Sequence, residues 1–354
     1  MTEFIRSVYK GESVLITGHT GFKGSWLSIW LHALGSRVTG YALDPKTERD
    51  NFVLTGIGEK IRDIRGNIND RKDLLDVFRE TEPKIVFHLA AQPLVLEGYR
   101  DPVSTYETNI MGTVNVLEAI RQTPSVQAAV IVTSDKVYEN REWSWPYRET
   151  DALGGYDPYS SSKGACEIVV AAYRRSFLEV LGKKTATVRA GNVIGGGDWA
   201  DDRILPDIIR ALEKNRSVSV RNPEAVRPWQ HVLEPLGGYL LLGAKMLKGK
   251  GEFAGAWNFG PGPENIIPVR DLVEMSIHEY GKGRWKNISR KEALHEAGFL
   301  SLDNSKARYG LGWKPVWNIN VTSEKTIAWY RKYTEENVLK LCLEQIGQYS
   351  KQWK

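Results

Sequence analysis

Tyr159 and Lys163 are the first candidate catalytic residues in the sequence. They stand four residues apart at the start of a helical apolar pattern that continues to Tyr173. This spacing places both side chains on one face of a helix. A neighbouring ammonium lowers the pKa of a phenol, which is ordinarily about 10. Such a tyrosine could take a proton from a sugar hydroxyl while a hydride leaves the same carbon. By itself the spacing is a weak signal, because a surface lysine beside a packed tyrosine shares it.

Ser134, Asp135 and Lys136 follow a predicted buried strand, Ala128 to Thr133, and supply a hydroxyl and two titratable groups. Asp135 must hold a proton if it acts as an acid, and burial would favour that form. Lys136 must be neutral if it acts as a base, and desolvation would favour that form. The alternative is an ion pair on a surface turn.

A glycine loop between a predicted strand and a predicted helix indicates a dinucleotide site. Ser13 to Thr17 is the strand, apolar residues at helical spacing reach Leu34, and between them lies Gly18-His19-Thr20-Gly21-Phe22-Lys23-Gly24. The glycines allow a tight turn and let the backbone approach a pyrophosphate at the helix N-terminus. Their spacing is GxxGxxG, whereas most dehydrogenases have GxGxxG.

Asp44 ends the second predicted strand, Arg37 to Leu43. A carboxylate at this place accepts hydrogen bonds from ribose hydroxyls and repels a 2′-phosphate, which favours NAD over NADP. The alternative is a turn residue before Pro45. Lys23 puts a cation at a helix N-terminus, against the helix dipole, and so indicates a nearby anion. The sequence leaves open whether that anion is the NAD pyrophosphate or a substrate diphosphate, or whether Lys23 is simply solvated.

Strand and helix patterns alternate along the chain. Further predicted strands are Ile61 to Gly66, Lys84 to Leu89 and Thr185 to Arg189, and predicted helices are Asp70 to Arg79 and Pro102 to Arg121. The alternation predicts an α/β fold with a doubly wound parallel sheet of the Rossmann type. Ligands of such sheets bind beyond the carboxyl ends of the strands, where Gly18, Ala90, Ser134 and Asn192 would all lie.

Two lobes are expected from the length and from the change of pattern after residue 190. Residues 1–190 are predicted to form the NAD-binding domain, with returning segments near residues 228–262. Residues 191–354 are predicted to form mainly a smaller C-terminal α/β substrate lobe. Gly195 to Trp199 is predicted to be a flexible connector, and the last two dozen residues are predicted to form polar helices.

Composition narrows the class of protein. The chain has 354 residues, 42% of them hydrophobic, and a net charge of +5 from 48 basic and 43 acidic residues. It has no basic block with interleaved aromatic residues, so nucleic-acid binding is not indicated. Its two cysteines show no metal-ligand spacing, so no metal site is expected. The chain shows no signal peptide and no apolar run of membrane-spanning length, so we expect a soluble, cytoplasmic protein.

These motifs together resemble the extended short-chain dehydrogenases/reductases. The resemblance covers roughly residues 11 to 320. It rests on GxxGxxG, the acid after the second strand, Leu89-Ala90-Ala91-Gln92, the long helix with Asn109, YSSSK, and the segment RAGNVIGGGD. Ser134-Asp135-Lys136-Val137-Tyr138 resembles the nucleotide-sugar 4,6-dehydratases. GHTGFKGSWL and the Ser-Asp-Lys triplet are similar to the CDP-glucose branch, because the dTDP-glucose and GDP-mannose branches usually have Glu in place of Lys136.

The resemblance implies an NAD-dependent hydro-lyase that converts CDP-D-glucose to CDP-4-dehydro-6-deoxy-D-glucose, in deoxysugar biosynthesis of the O-antigen or lipopolysaccharide type. It implies oxidation at C4, loss of water across C5 and C6, and return of hydride to C6. Two alternatives stay open. The first is another enzyme of this fold, either a dTDP-, UDP- or GDP-sugar dehydratase or a 4-epimerase, although an epimerase usually has small residues at Asp135 and Lys136. The second is a non-catalytic NAD-binding scaffold.

The resemblance also implies roles for individual residues. The implied catalytic residues are Ser134, Asp135, Lys136, Tyr159 and Lys163. The implied cofactor-binding residues are Gly18, Thr20, Gly21, Phe22, Lys23, Gly24, Asp44, Asn67, Ile68, Leu89, Ala90, Ala91, Tyr159 and Lys163. The implied substrate-binding residues are Gln92, Ser134, Asn192, Arg203, Leu205, Arg227, His295 and Glu296.

Arg227 has a specific implied role, because it opens a segment similar to the family's Arg-x-Trp-x-His-Val. There it would bind the sugar-nucleotide diphosphate, and its forked guanidinium suits two phosphate oxygens. His295 and Glu296 are weaker candidates for contacting the base. The family also implies a homodimer, or a dimer of dimers, through a four-helix bundle that here would use the helices at Pro102–Arg121 and Tyr159–Leu181.

Overall fold

A computed structural model of the protein describes residues 1–249, 251–289 and 298–353. The strands are β1 Ser13–Thr17, β2 Arg37–Ala42, β3 Arg62–Arg65, β4 Ile85–His88, β5 Ala128–Val132, β6 Lys184–Arg189, β7 Val193–Ile194, β8 Val218–Val220, β9 Val226–Pro228, β10 Gln230–His231, β11 Gly255–Asn258, β12 Ile266–Pro268 and β13 Trp285–Asn287. The helices are α1 Thr2–Tyr9, α2 Phe22–Ala33, α3 Asn51–Thr55, α4 Arg71–Thr81, α5 Val95–Arg100, α6 Pro102–Tyr106, α7 Gly112–Gln122, α8 Pro158–Tyr173, α9 Ile204–Glu213, α10 Leu233–Lys248, α11 Val269–Tyr280, α12 Ile319–Lys332 and α13 Val338–Gln352.

A seven-stranded parallel sheet is the centre of the fold, with strand order β11-β6-β5-β4-β1-β2-β3. Both faces of the sheet are buried, because successive residues of one strand enter different cores. In β1, Val14 packs with α2 and α10, whereas Leu15 packs with α4 and α7. The chain therefore has the doubly wound α/β fold that the alternation of patterns predicted.

Three short sheets follow residue 190. β7 pairs with β10, β9 with β12 and β8 with β13, and helices α9 and α11 pack beside them. β11 returns to the main sheet and pairs with β6. The division into lobes at residue 190 stays a prediction.

Two sequence expectations of this region are wrong. Gly195 to Trp199 is not a flexible connector, because Asp198 and Trp199 are buried and the Gly196 carbonyl accepts a hydrogen bond from Trp26. The C-terminal helix α13 is not simply polar. It buries one apolar face, which includes Leu341, against α2 and α3. Within the described residues, no helix is long and apolar enough to cross a lipid bilayer.

Candidate active site

A cleft of about 310 Å³ lies beyond the carboxyl ends of the central strands. Its lining includes Lys23, Ser134, Asp135, Lys136, Tyr159, Asn192, Arg203, Leu205 and Arg227. The structure thus brings four of the five predicted catalytic residues together with the predicted substrate-binding residues Asn192, Arg203, Leu205 and Arg227, although they come from distant parts of the sequence. Lys163, the fifth, is buried behind the cleft and is not part of its lining.

The glycine loop is shaped for close backbone approach. Gly18 has φ +77°, and a Cβ there would lie 2.6 Å from the Ala90 nitrogen. A Cβ on Gly24 would collide with the Gly18 carbonyl, whereas a Cβ on Gly21 would meet only that carbonyl, at 3.5 Å. None of the described side chains caps the N-terminus of α2, where Gly21 is the N-cap. An open helix N-terminus beside a glycine turn fits a dinucleotide pyrophosphate.

The predicted ribose-binding acid lies at the sheet edge beside an arginine. The Asp44 side chain is 86% exposed, and its Oδ1 lies 3.6 Å from the Nε of Arg65. Arg65 also pairs with Asp63 at 2.8 Å, and Asp63 accepts a hydrogen bond from His19 of the glycine loop. The sequence reasoning missed Arg65, and the signal that could have found it was its place at the end of β3, one strand away from Asp44.

The other predicted cofactor residues lie after β1, β3 and β4, at the same edge of the sheet. Thr20 donates to the Leu43 carbonyl at 3.0 Å, and the Ala90 N–H donates to the Thr17 hydroxyl at 3.3 Å. Phe22, Leu89 and Ala91 are half-buried, Ile68 is buried and Asn67 is exposed. Their contacts with a cofactor remain predictions.

Helix α8 presents Tyr159 and Lys163 to the sheet. Asp157 caps the helix, because its carboxylate accepts from the N–H of Ser160 at 3.0 Å. Burial raises the pKa of Tyr159 to about 12, and a hydrogen bond with Ser134 opposes that rise. The sequence predicted a lowered pKa for Tyr159, and in the structure that pKa is raised instead. The Lys163 ammonium donates to the Val132 carbonyl at 3.5 Å, and burial of the phenol dominates.

Asn109 joins the long helix to α8. The predicted helix from Pro102 to Arg121 is interrupted by a π-helical turn at residues 107–111, which carries Asn109. The Asn109 amide donates to Ser162 at 2.8 Å and accepts from the Gln92 N–H at 2.8 Å. Such π turns frequently occur at functional sites, and this one ties the loop after β4 to the helix that carries Tyr159.

Asp135 fits its place because its neighbour is a glycine. The residue is buried, and its Oδ1 accepts from the Ser134 hydroxyl at 3.0 Å. A Cβ on Gly191 would collide with the Asp135 carboxylate, so the glycine leaves room for it. Lys136 is half-buried and lines the same cleft. The protonation states that the sequence assigned to Asp135 and Lys136 remain predictions.

Lys23 points into the cleft that holds Asp135. Burial, the largest cause, together with the nearby Arg203 and Lys163 lowers the pKa of Lys23 to about 8, although Asp135 and Asp198 oppose the shift. Three of these charged groups, Asp135, Asp198 and Arg203, line the substrate side of the cleft. Their positions favour the substrate diphosphate over the NAD pyrophosphate as the anion near Lys23.

The substrate side contains a partly buried ion pair that the sequence reasoning did not identify. Arg203 donates to Asp198 at 2.9 Å, and this partner raises the pKa of the guanidinium. Asp198 belongs to the RAGNVIGGGD segment, so its motif was the available signal. Asn192 adopts φ +46° at the cleft wall, and Leu205 is buried there. Arg227 donates to the carbonyls of Val226 and Gly298, at 2.9 and 3.0 Å.

Three predicted substrate-binding residues, Gln92, His295 and Glu296, are not among the described residues that line the cleft. The Gln92 amide donates to Leu94 and Thr105 and accepts from the Leu94 N–H, so both ends are used within the protein. Its surroundings therefore do not support a substrate contact. His295 and Glu296 lie outside the described residues.

Comparisons with known proteins agree with this site. The family model of GDP-mannose 4,6 dehydratase matches residues 15–326. The CDP-glucose 4,6-dehydratase of Salmonella typhimurium is 44% identical over 342 residues, which cover 95% of each chain. The chain belongs to the nucleotide-sugar 4,6-dehydratase family of the extended short-chain dehydrogenases/reductases.

More distant members of the superfamily share the fold. A UDP-glucose 4-epimerase of Rhizobium meliloti is 26% identical, over 91% of this chain and 98% of that protein. The dTDP-glucose 4,6-dehydratase of Streptomyces venezuelae, solved with NAD bound, has a TM-score of 0.77 and is 24% identical, over 90% of this chain and 97% of that one. This structural likeness supports the doubly wound fold.

Proposed function

We propose that the protein is an NAD-dependent CDP-glucose 4,6-dehydratase that converts CDP-D-glucose to CDP-4-dehydro-6-deoxy-D-glucose. The observation that carries the proposal is the Ser134-Asp135-Lys136 triplet beside Tyr159 in one cleft, in a chain 44% identical to a CDP-glucose 4,6-dehydratase. A 4-epimerase needs no acid and base for elimination, whereas this cleft contains a buried carboxyl group and a lysine amine.

The cofactor site is formed by the residues around the glycine loop. The N-terminus of α2 would hold the NAD pyrophosphate, Asp44 the adenosine ribose, and Lys163 the nicotinamide ribose. When bound, NAD accepts hydride from sugar C4 and returns it to C6. The close approach of Gly18 to Ala90 and the uncapped helix N-terminus support this assignment.

Three side chains carry out the proton transfers of the reaction, and Ser134 orients the sugar for the first of them. Ser134 orients the sugar O4 against Tyr159, which takes the O4 proton as C4 is oxidised. The resulting ketone acidifies C5–H, so Lys136 can remove that proton while Asp135 protonates O6, and water leaves. C5 then regains a proton as C6 is reduced. Burial raises the pKa of Tyr159 to about 12, so deprotonation of the phenol costs free energy. A nearby cation reduces this cost because it stabilises the phenolate.

Arg203 and Arg227 would bind the substrate diphosphate, together with Asn192 and Lys23. Arg203 is held in place by Asp198, and Arg227 by two backbone carbonyls. A preorganised guanidinium loses less conformational entropy when it binds phosphate.

We also propose a homodimer through the bundle of α6, α7 and α8. Large apolar side chains are exposed on these helices and on the turns that continue them, including Val103 at 65%, Met111 at 52%, Ile168 at 62% and Phe177 at 45%. Large exposed apolar side chains on neighbouring helices support a buried interface there. Sedimentation analysis of wild type and of Ile168→Glu should show a dimer and a weakened dimer, and a monomeric wild type would contradict the assignment.

A panel of nucleoside-diphosphate glucoses tests the proposed activity. Purified protein with NAD should convert CDP-glucose to a product lighter by one water, at a higher kcat/KM than dTDP-, UDP- or GDP-glucose. A preference for another base would reassign the substrate. A product of unchanged mass with inverted C4 would make the protein an epimerase.

A further inference from the structure

The loop that follows the catalytic triplet is joined to the substrate lobe. The Tyr147 N–H donates to the Ser301 carbonyl at 2.9 Å, and the Asn140 amide donates to the Phe299 carbonyl at 3.1 Å. Trp143 packs on Tyr147 with ring centroids 5.1 Å apart. The loop at residues 139–147 and the segment at residues 298–303 therefore form one packed unit.

Glu142 holds an unusual place in this loop. Its backbone has φ +50°, in the left-handed region that non-glycine residues rarely adopt, and its N–H donates to Asn140 Oδ1 at 3.0 Å. The Glu142 carboxylate accepts a hydrogen bond from the N–H of Gly298. A backbone outlier of this kind persists only where its surroundings fix it, and it justifies asking what the residue does.

Gly298 connects Glu142 to the cleft. The Gly298 carbonyl accepts from the N–H of Val226 at 3.1 Å and from the guanidinium of Arg227 at 3.0 Å. Arg227 lines the cleft, whereas Glu142 does not. The Glu142 carboxylate thus holds the N–H of Gly298, and the carbonyl of the same residue holds the Arg227 guanidinium.

We propose that Glu142 is a positioning residue for substrate binding, which fixes Gly298 so that its carbonyl orients Arg227 toward the substrate diphosphate. This inference rests on the proposed function, because it assigns the diphosphate to Arg227. Glu142 would then affect affinity for the diphosphate but not the proton transfers at C4, C5 and O6.

The experiment compares CDP with cytidine, which lacks the phosphates, in calorimetric titrations. The variants are Glu142→Ala, Glu142→Gln, Arg227→Ala and the Glu142→Ala/Arg227→Ala double variant. Glu139→Ala is the matched control, since Glu139 is an exposed acid three residues earlier in the same loop. Glu142 acts on the diphosphate only indirectly, through Gly298, so Glu142→Ala should raise the CDP dissociation constant about three- to tenfold, less than the loss of a direct hydrogen bond to a charged group would. KM should rise by the same factor while kcat is retained.

Glu142→Gln keeps the hydrogen-bond acceptor, so its affinity for CDP should stay near that of the wild type. The control Glu139→Ala should also bind CDP like the wild type. The affinity for cytidine should not change in any variant. In the Arg227→Ala background, Glu142→Ala should cause no further loss. The proposal is overturned if Glu142→Ala leaves CDP binding unchanged, weakens cytidine equally, or weakens CDP as much without Arg227. If the substrate panel selects another base, that nucleoside diphosphate and its nucleoside replace CDP and cytidine, so an error in the substrate assignment is distinguishable from an error here.

Discussion

Lys23 allows a pH experiment that decides which anion it binds. Burial lowers the pKa of this lysine to about 8, and the charged groups that face it are Asp135, Asp198, Arg203 and Lys163. Below about pH 8 the amine is protonated and attracts phosphate, and above that pH it becomes neutral and the attraction is lost. Binding of the diphosphate should therefore weaken as the pH rises through about 8.

The magnitude follows from one charge-assisted hydrogen bond, worth about 1.5–3 kcal/mol. Lys23→Met should raise the CDP dissociation constant about ten- to a hundredfold at neutral pH. In the wild type, the constant should rise by up to about tenfold per pH unit above about pH 8, until it meets the value of the Met variant. Lys23→Arg keeps its charge throughout this range, so its affinity should show no such fall.

Separate calorimetric titrations with CDP and with NAD, at a series of pH values on both sides of about 8, provide the measurement. We expect the effect of Lys23→Met on CDP to exceed its effect on NAD. If Lys23→Met weakens NAD and leaves CDP unchanged, the lysine serves the cofactor pyrophosphate. If it changes neither ligand, Lys23 is solvated and the argument from its neighbours is wrong.

Three further predictions test other parts of the site and the core. Asp44→Gly should weaken NAD binding and strengthen NADP binding in titrations, because Arg65 is then left to pair with a 2′-phosphate. Adding Arg65→Gln should remove the gain in NADP affinity. Equal changes in affinity for both cofactors would contradict the role of Asp44. Lys136→Met should still oxidise C4, so the absorbance of reduced nicotinamide should rise and stay high, whereas elimination at the wild-type rate would identify another base. Burial raises the pKa of Glu234 from 4.5 to about 7, so the stability of the wild type relative to Glu234→Gln should fall by roughly 3 kcal/mol as the pH rises from about 4.5 to about 7. The buried His88 and His231, whose pKa values burial lowers, contribute equally to both proteins. In thermal unfolding Glu234→Gln should not show this fall, and an identical pH profile for the two proteins would refute the assignment.

Local pattern was enough to predict the central sheet. Apolar runs of four to six residues separated by helical patterns predicted β1, β2, β4, β5 and β6 to within one or two residues. The central strands β1, β4 and β5 are buried on both faces, so their sequences are almost continuously apolar and easy to recognise, whereas β2 and β6 also carry polar residues. The glycine spacing likewise predicted the turn at Gly18, where the positive φ and the close approach to Ala90 both require glycine.

The features of the site and of the fold that the sequence did not predict depend on contacts between residues distant in sequence. Nothing near Asp44 indicates Arg65, which reaches it from the adjacent strand, and nothing near Gln92 shows that its amide is used by Leu94 and Thr105. The pKa of Tyr159 was expected to fall because Lys163 is close in sequence, but burial by other elements raises it. Helix α10 was missed because it is apolar on nearly all sides and shows no amphipathic period.

The most direct test of the dehydratase assignment follows one hydrogen of the substrate. CDP-glucose that carries deuterium at C4 is converted in ordinary water with the NAD-bound protein, and the product is examined by mass spectrometry and NMR. The account predicts a 4-keto product that has lost one water and carries the deuterium at C6. In heavy water with unlabelled substrate, it predicts deuterium at C5. Deuterium retained at C4 of an unoxidised sugar, or a product that has lost no water, would contradict the proposed function.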